Sequence, residues 1–332
     1  MRIYRRFKSG RKVVMYRGDC LDLLRKIPSN SVDLTVTSPP YCMGKEYERT
    51  KRLKGFVRTH LKILPEIIRV TKNGGSICWQ IGYHARNGVV TPLDFVLNDL
   101  IKQWPDIFLR NRIVWTFGHG MHGSKRLSGR HEIILWYTKG RDHKFNLDSI
   151  RVPQKYPGKR FYKGPKKGKF SCNPLGKNPG DVWEIPNVKA RHVEKTNHPC
   201  QFPIGLVQRL IRALTSANDL VLDPFMGSGT TAAAAILESR RFIGAEIKGK
   251  YHRTAIRRCQ QAANRSIPYR NLDKPILIPD PNSEVATNPF NKNGKALSNG
   301  NGKEKSSNQR HVRLLTGQAR RYNARIVLSA RS

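Results

Sequence analysis

Short apolar runs alternate with amphipathic stretches along most of this 332-residue chain. Val13-Val14-Met15-Tyr16-Arg17-Gly18-Asp19 is a compact β-type run that stops at Gly-Asp. Leu21 to Ile27 then carries apolar residues at helical spacing, and Pro28-Ser29-Asn30-Ser31 closes that helix. A second strand, Leu34 to Val36, completes a β-α-β unit whose strands should run parallel. A charged loop from Glu46 to Thr59 enters a helix at about Phe56 to Val70, and Gly74-Gly75 turns the chain into a buried strand at Ser76 to Ile81. A helix around Leu93 to Gln103 and two apolar strands, Ile113 to Trp115 and Ile133 to Tyr137, follow. Near the other end come a helix at Ile204 to Leu214, a strand at Asp219 to Phe225, a helix-forming run at Ala232 to Leu237 and a strand at Phe242 to Glu246. This alternation predicts an α/β fold. In such sheets ligands gather at the carboxyl ends of the strands, where Asp19 and Ser38 fall.

The strand at Leu34 to Val36 runs straight into Thr37-Ser38-Pro39-Pro40-Tyr41. It must stop there, because each proline fixes its own φ, lacks an N–H and pushes the preceding residue to extended geometry. The resulting stiff corner presents a hydroxyl (Ser38), a carbonyl (Pro39) and an aromatic face (Tyr41), an arrangement suited to gripping a planar amino group. An amine attached to an aromatic ring is a poor nucleophile because its lone pair is conjugated into the ring. Accepting its two N–H bonds at Ser38 Oγ and the Pro39 carbonyl would free that lone pair, leaving catalysis to positioning and local electrostatics, with no metal or covalent intermediate. Attack at a ring carbon would instead need a thiol nucleophile, for which Cys42 is the candidate, but Cys42 lacks a Pro-Cys context.

A second chemical centre follows the strand at Asp219 to Phe225. Asp223-Pro224-Phe225-Met226-Gly227-Ser228-Gly229-Thr230 is an acid-proline strand end and a glycine turn that opens a helix, and the next strand ends at Glu246. Strand, glycine turn, helix, strand, acid is an adenosine-binding arrangement, with the glycines admitting backbone close to the ligand and the acid accepting ribose hydroxyls. The Gly-x-Gly-x-x-Ala pattern alone fits a dinucleotide dehydrogenase equally well. No lysine follows the glycines, which excludes a phosphate-gripping P-loop.

Charge narrows the partners. Lys and Arg number 62 against 23 Asp and Glu, a net charge of +39, the footprint of a polyanion such as nucleic acid. Twelve of the basic residues fall between Lys139 and Gly180 against only Asp142 and Asp148, with Tyr156, Phe161, Tyr162 and Phe170 interleaved among Gly and Pro. Cations for phosphates and aromatics for stacking suit a DNA-reading insertion. The six cysteines show no C-x-x-C spacing, so reduced thiols of a cytosolic protein are expected rather than a zinc site or disulfides. His119 and His122 lie in a glycine-rich loop without a third ligand spaced to them. No apolar run approaches a membrane span, and the basic segment from Met1 to Lys12 is too short before Val13 to read as a targeting leader. Beyond Arg265 the Asn-, Gly- and Ser-rich tail reads as disordered, with Arg310 to Arg331 a candidate basic helix.

The two motifs together closely resemble the amino-methylating DNA methyltransferases that use S-adenosylmethionine, in the permuted motif order of the β group. The resemblance covers about Val13 to Ala263. It implies a circularly permuted Rossmann-like methyltransferase fold, with a mostly parallel twisted sheet, helices on both faces and a basic target-recognition insertion. The chain would begin at the third strand of the usual sheet and end with its first two, bringing corner and glycine turn together at one edge of the sheet. Ser38, Pro39, Pro40 and Tyr41 match the catalytic motif, with Thr37 at its head on the cofactor side. Asp223, Pro224, Phe225, Gly227, Ser228, Gly229 and Thr230 match the cofactor loop, Glu246 the ribose-binding acid and Gly18-Asp19 the adenine-contacting segment. His198-Pro199-Cys200-Gln201-Phe202-Pro203 resembles the segment that closes over the methionine end, although it lacks the Lys or Arg usual there.

The implied division is 1–138 for the catalytic half, 139–180 for DNA target recognition, 181–264 for the cofactor-binding half and 265–332 for the basic tail. The implied activity is methyl transfer to the exocyclic amine of a base flipped out of double-stranded DNA, with Tyr41 stacking on that base. Serine at the head of the motif resembles the cytosine-N4 enzymes, and adenine N6 is the alternative. An oxidoreductase on a similar sheet and a non-catalytic DNA-binding protein are the remaining readings. The first leaves both the corner and the charge unexplained, and the second leaves the corner unused. The resemblance also implies a prokaryotic or phage-encoded cytoplasmic enzyme, monomeric or homodimeric, to which a cognate restriction endonuclease could correspond.

Overall fold

The computed structural model describes residues 2–41, 53–118, 120 and 123–272. Cys42, the loop from Glu46 to its helix, the two loop histidines, and the tail beyond Leu272 with its candidate basic helix lie outside the described residues.

In chain order the elements are β1 (Val13–Arg17), α1 (Cys20–Leu24), β2 (Val32–Thr37), α2 (Leu53–Val70), β3 (Thr71–Ile81), β4 (Tyr83–Arg86), β5 (Val89–Pro92), α3 (Leu93–Ile101), β6 (Ile107–Thr116) and β7 (His131–Lys139). A 3₁₀ turn (Leu147–Ile150), β8 (Val182–Glu184), α4 (Ile204–Leu214), β9 (Leu220–Asp223), α5 (Thr230–Leu237), β10 (Arg241–Glu246) and α6 (Gly249–Ala263) follow. Among the described residues, eight strands form one sheet in the order β1-β10-β9-β2-β3-β7-β6-β8. The first five are mutually parallel, and β7 runs antiparallel to both neighbours. β4 and β5 pair as a separate hairpin.

The strands read as nearly continuous apolar runs because both of their faces are covered. Val13, Met15, Leu34, Val36, Val221 and Phe242 pack with residues of α4, α5 and α6 on one face. Val14, Ile77, Trp79, Leu222 and Ile243 pack with α1, α2 and α3 on the other. The register keeps the faces aligned, with Val13 opposite Phe242, and Val14 opposite Ile243, which in turn opposes Leu222. In α5, Ala232 to Ala235 are all fully buried, and these small side chains let the helix fit between α4 and α6.

Several sequence expectations are adjusted. The opening β-α-β unit is parallel, but its strands are not neighbours, since β10 and β9 from the distant end of the chain lie between them. Gly74 and Gly75 fall inside β3 rather than before it, and α6 and the β4-β5 hairpin add elements that the pattern did not single out. The basic stretch is not uniformly irregular. Residues 140–150 belong with the core: Ile150 is buried there, and Asn146 N donates to Ala213 O of α4 at 2.7 Å. Residues 151–177 fold back on themselves, with bridges Val152–Lys177 and Arg160–Phe170 joining two antiparallel legs. The polar tail begins later than its composition suggests, because Ile267 is buried and Tyr269 and Leu272 pack against the core.

Candidate active site

Parallel neighbours deliver their carboxyl ends to one place. β1, β10, β9 and β2 bring Gly18-Asp19, Glu246, Asp223 and Thr37-Ser38 side by side along the sheet's carboxyl edge. Gly18 N donates to Glu246 O at 3.1 Å, which ties the first pair of tips together. Thr37 Oγ1 donates to Asp223 Oδ1 at 2.7 Å, which ties the second. Corner and glycine turn, 186 positions apart at that bond, are thus joined by one hydrogen bond.

Asp223 is only 1 % exposed, and both of its oxygens are engaged within the protein. Oδ1 also accepts Phe225 N at 3.0 Å, and Oδ2 accepts Thr231 Oγ1 at 2.6 Å. Burial pushes its carboxyl up to about 6 against the pull of these three donors. Its geometry is that of a tie between corner and turn. Asp19 likewise works locally, as the N-cap of α1, accepting Leu21 N at 3.0 Å.

The turn itself is tightly boxed. Gly227 has φ 51° and Gly229 φ 79°, backbone that favours glycine, and Gly229 N donates to Met226 O at 2.7 Å. A Cβ on Gly229 would stand 2.8 Å from Ala255 Cβ, and one on Gly227 would stand 3.1 Å from His198 Nε2. The hydroxyls of Ser228 and Thr230 face inward to Arg258 of α6, at 3.2 and 3.0 Å from its Nη1. Pro224 is buried, and Phe225 packs at the margin of the core. Glu246 takes the Lys248 amide on Oε1 at 2.7 Å and is also hydrogen-bonded by the Gly227 backbone; burial pushes its carboxyl up to about 7. An acid at the tip of β10 beside a glycine backbone with no room for side chains fits an adenosine-bearing ligand held by ribose and main chain. The residues therefore suit the cofactor that the resemblance implies.

At the corner, Pro39 is buried while Ser38, Pro40 and Tyr41 are half-buried. Ser38 Oγ lies 3.2 Å from Tyr41 OH, and Tyr41 OH donates to Gln80 O at 3.4 Å. Gly82 makes room for this tyrosine, since a Cβ there would stand 3.2 Å from its ring. The Gln80 amide donates to Glu132 Oε2, and burial pushes Glu132 up to about 7. Gln80, Glu132, Glu194 and Arg258 are absent from the sequence motifs. Gln80 alone carries a sequence signal, a polar residue within the apolar run Cys78-Trp79-Gln80-Ile81, whereas Glu194 and Arg258 lie in polar stretches.

His198 is brought onto the turn, edge-on to Tyr251 with ring centroids 4.4 Å apart. The hairpin 151–177 lines an open cleft of about 490 Å³ with Lys155, Lys159, Arg160, Tyr156, Phe161 and Tyr162 among others. Tyr162 at its tip is 90 % exposed, and Arg160 stacks over Phe170 at 4.1 Å.

Comparison with known proteins bears on this geometry. The type II methyltransferase M.BglII of Bacillus subtilis is 48 % identical over 238 residues, spanning 71 % of this chain and 66 % of its own length. M.ScaI of Streptomyces caespitosus is 38 % identical over 76 % of this chain and 82 % of its own, and the DNA adenine methyltransferase YhdJ of Escherichia coli K12 is 33 % identical over 79 % and 87 %. Among solved structures, the cytosine-N4-specific PvuII DNA methyltransferase superposes with a TM-score of 0.60 at 23 % identity, covering 78 % of this chain and 94 % of its own. A DNA modification methylase of Thermus thermophilus, complexed with S-adenosyl-L-methionine, superposes at 0.54 with 24 % identity, covering 75 % and 93 %. The profile of the N6/N4 DNA methylases matches residues 32–257, most of the sheet described above, and the chain belongs to that DNA methylase family.

Proposed function

We propose that the protein transfers a methyl group from S-adenosylmethionine to the exocyclic amine of a base flipped out of double-stranded DNA, at N4 of cytosine. The observation that carries this reading is the Thr37–Asp223 bond, which holds the amine-gripping corner against the glycine turn. Bound by the turn, Gly18-Asp19 and Glu246, the cofactor supplies an electrophilic sulfonium methyl.

The corner's own hydrogen bonds set its polarity. The Gln80 carbonyl only accepts, so Tyr41 OH donates to it and its oxygen accepts a hydrogen bond from the Ser38 hydroxyl in turn. Ser38 Oγ then faces the substrate as an acceptor, and the Pro39 carbonyl accepts the second N–H. Holding both N–H bonds lets the amine nitrogen pyramidalise and exposes its lone pair. Asp223 is spent on Thr37, Thr231 and Phe225 N and acts as the tie that keeps the two centres in register. The hairpin 151–177, with cations and exposed aromatics around one cleft, has the composition that grips phosphates and stacks on bases. Ser38 at the head of the motif favours cytosine. The relatives named as type II methyltransferases support a restriction-modification setting with a cognate endonuclease.

The test is to incubate DNA with the protein and S-adenosylmethionine, digest it to nucleosides and weigh them. N4-methylcytosine is expected; N6-methyladenine alone would assign the protein to adenine. Ser38→Ala should abolish the product while leaving cofactor binding nearly intact, and undiminished methylation would remove Ser38 from the mechanism.

A further inference from the structure

The glycine turn is held from beneath by a side chain that no motif announces. Arg258, on α6 and 3 % exposed, donates through Nη1 to Ser228 O at 3.0 Å, Ser228 Oγ at 3.2 Å and Thr230 Oγ1 at 3.0 Å. Its Nη2 has no hydrogen-bond acceptor among the described residues and lies 3.8 Å from Glu194 Oε2.

Glu194, 2 % exposed, anchors the segment that carries His198. Its Oε2 accepts Ile204 N, at the start of α4, at 2.9 Å, and its Oε1 accepts Arg270 N at 3.3 Å. Gln201 closes the segment into a compact loop, donating to Glu194 O at 3.3 Å and accepting Thr196 N and Oγ1 at 2.8 Å each. At the top of that loop, His198 rests on Gly227 and against Tyr251 of α6. The turn is thus flanked by α6 and the loop, which meet at His198 on Tyr251, at Thr254 Oγ1 donating to Asn197 Oδ1 at 3.2 Å, and, beneath the turn, at Arg258 and Glu194. Burying two charges costs more than a well-packed apolar pair, so stability alone is a weak reason to place them there. Geometry is the better one: one guanidinium nitrogen holds three acceptors of the turn while the other lies within ion-pair distance, 3.8 Å, of the carboxylate that anchors the loop.

We infer that Arg258 and Glu194 are a positioning pair that registers the His198 loop on the glycine turn, so that S-adenosylmethionine binding and seating of the loop are one event. This rests on the assignment of the turn to the cofactor.

S-adenosylmethionine is titrated calorimetrically into the 332-residue chain, its Glu194→Gln, Arg258→Lys and double variants, and Glu246→Ala. Trypsin cleavage after Lys189, Arg191 and Lys195 is followed with and without S-adenosylmethionine. Each single variant should weaken binding about tenfold, the double should be no worse than the weaker single, and S-adenosylmethionine should protect these sites in the wild type only. A purely structural pair would lower the melting temperature with affinity and protection unchanged, and that result, or losses that multiply in the double, would overturn the proposal. Should Arg258→Lys fail to fold, Glu194→Gln with the trypsin readout decides alone. Unchanged affinity in Glu246→Ala would overturn the assignment of the turn itself, and the pairing built on it.

Discussion

Asp223→Asn is the most informative single perturbation. The carboxyl, ordinarily at 3.8, is raised to about 6 by burial, so the folded protein holds on to this proton more tightly than the unfolded chain does. Its contribution therefore falls as pH rises: it is most favourable below the unfolded value and is lost through the window between 3.8 and 6. At 1.36 kcal/mol per pH unit the full cost above that window is about 3 kcal/mol, of which about 2 kcal/mol develops between pH 4.5 and 7.5. Asparagine can keep Oδ1 as the acceptor of Thr37 and Phe225 N, and its amide can donate to Thr231 Oγ1 once that hydroxyl turns. It removes the titration and little else. Urea unfolding of wild type and variant at pH 4.5 and 7.5 measures the outcome. Glu132 titrates in both proteins and cancels in the difference, whereas Glu246, which the Asp223 charge helps to raise, is relieved in the variant and adds to the difference in the same direction. Stability of the variant relative to wild type should rise by about 2 kcal/mol between the two pH values. A difference independent of pH would refute the claim that Asp223 carries a buried charge at neutral pH.

Two further substitutions probe the corner and the turn. Tyr41→Phe keeps the ring but takes away the acceptor that orients the Ser38 hydroxyl; steady-state assays should show kcat down about tenfold, the value of one hydrogen bond, with KM for S-adenosylmethionine unchanged. Gly229→Ala forces a left-handed φ of 79° on alanine and sets its Cβ 2.8 Å from Ala255 Cβ, so thermal and urea unfolding should show a loss of about 2 kcal/mol or more, accompanied by weaker cofactor binding in calorimetry.

Much of the fold could be read along the chain because both faces of the parallel strands are buried. Runs such as Val13 to Met15, Leu220 to Leu222 and Phe242 to Ala245 are apolar at nearly every position, a pattern that only such a sheet rewards. The turn was legible for a similar local reason, since glycines at φ 51° and 79° are required by backbone geometry that no neighbour can supply. α6 escaped notice because its buried face includes His252, Thr254 and Arg258, polar residues that blur the apolar stripe. The β4-β5 hairpin is four residues a side with an exposed second strand, Val89-Val90-Thr91-Pro92, too short for alternation to register.

The sequence by itself determined the two chemical centres, because proline stiffness at Ser38 to Tyr41 and glycine freedom at Gly227 to Gly229 are properties of a few consecutive residues. It also determined the charge that calls for a polyanion. Only the tertiary structure decided how the centres are joined and which side chains serve them indirectly. The insertion of β9 and β10 between β1 and β2 sets Thr37 beside Asp223, and the packing of α6 beneath the turn gives Arg258 its acceptors. Asp223, Ser228 and Thr230 read as ligand contacts in the sequence, yet their side-chain oxygens are bonded within the protein, because a buried polar atom must find a partner and, apart from Thr231, the partners here come from elements distant in the chain.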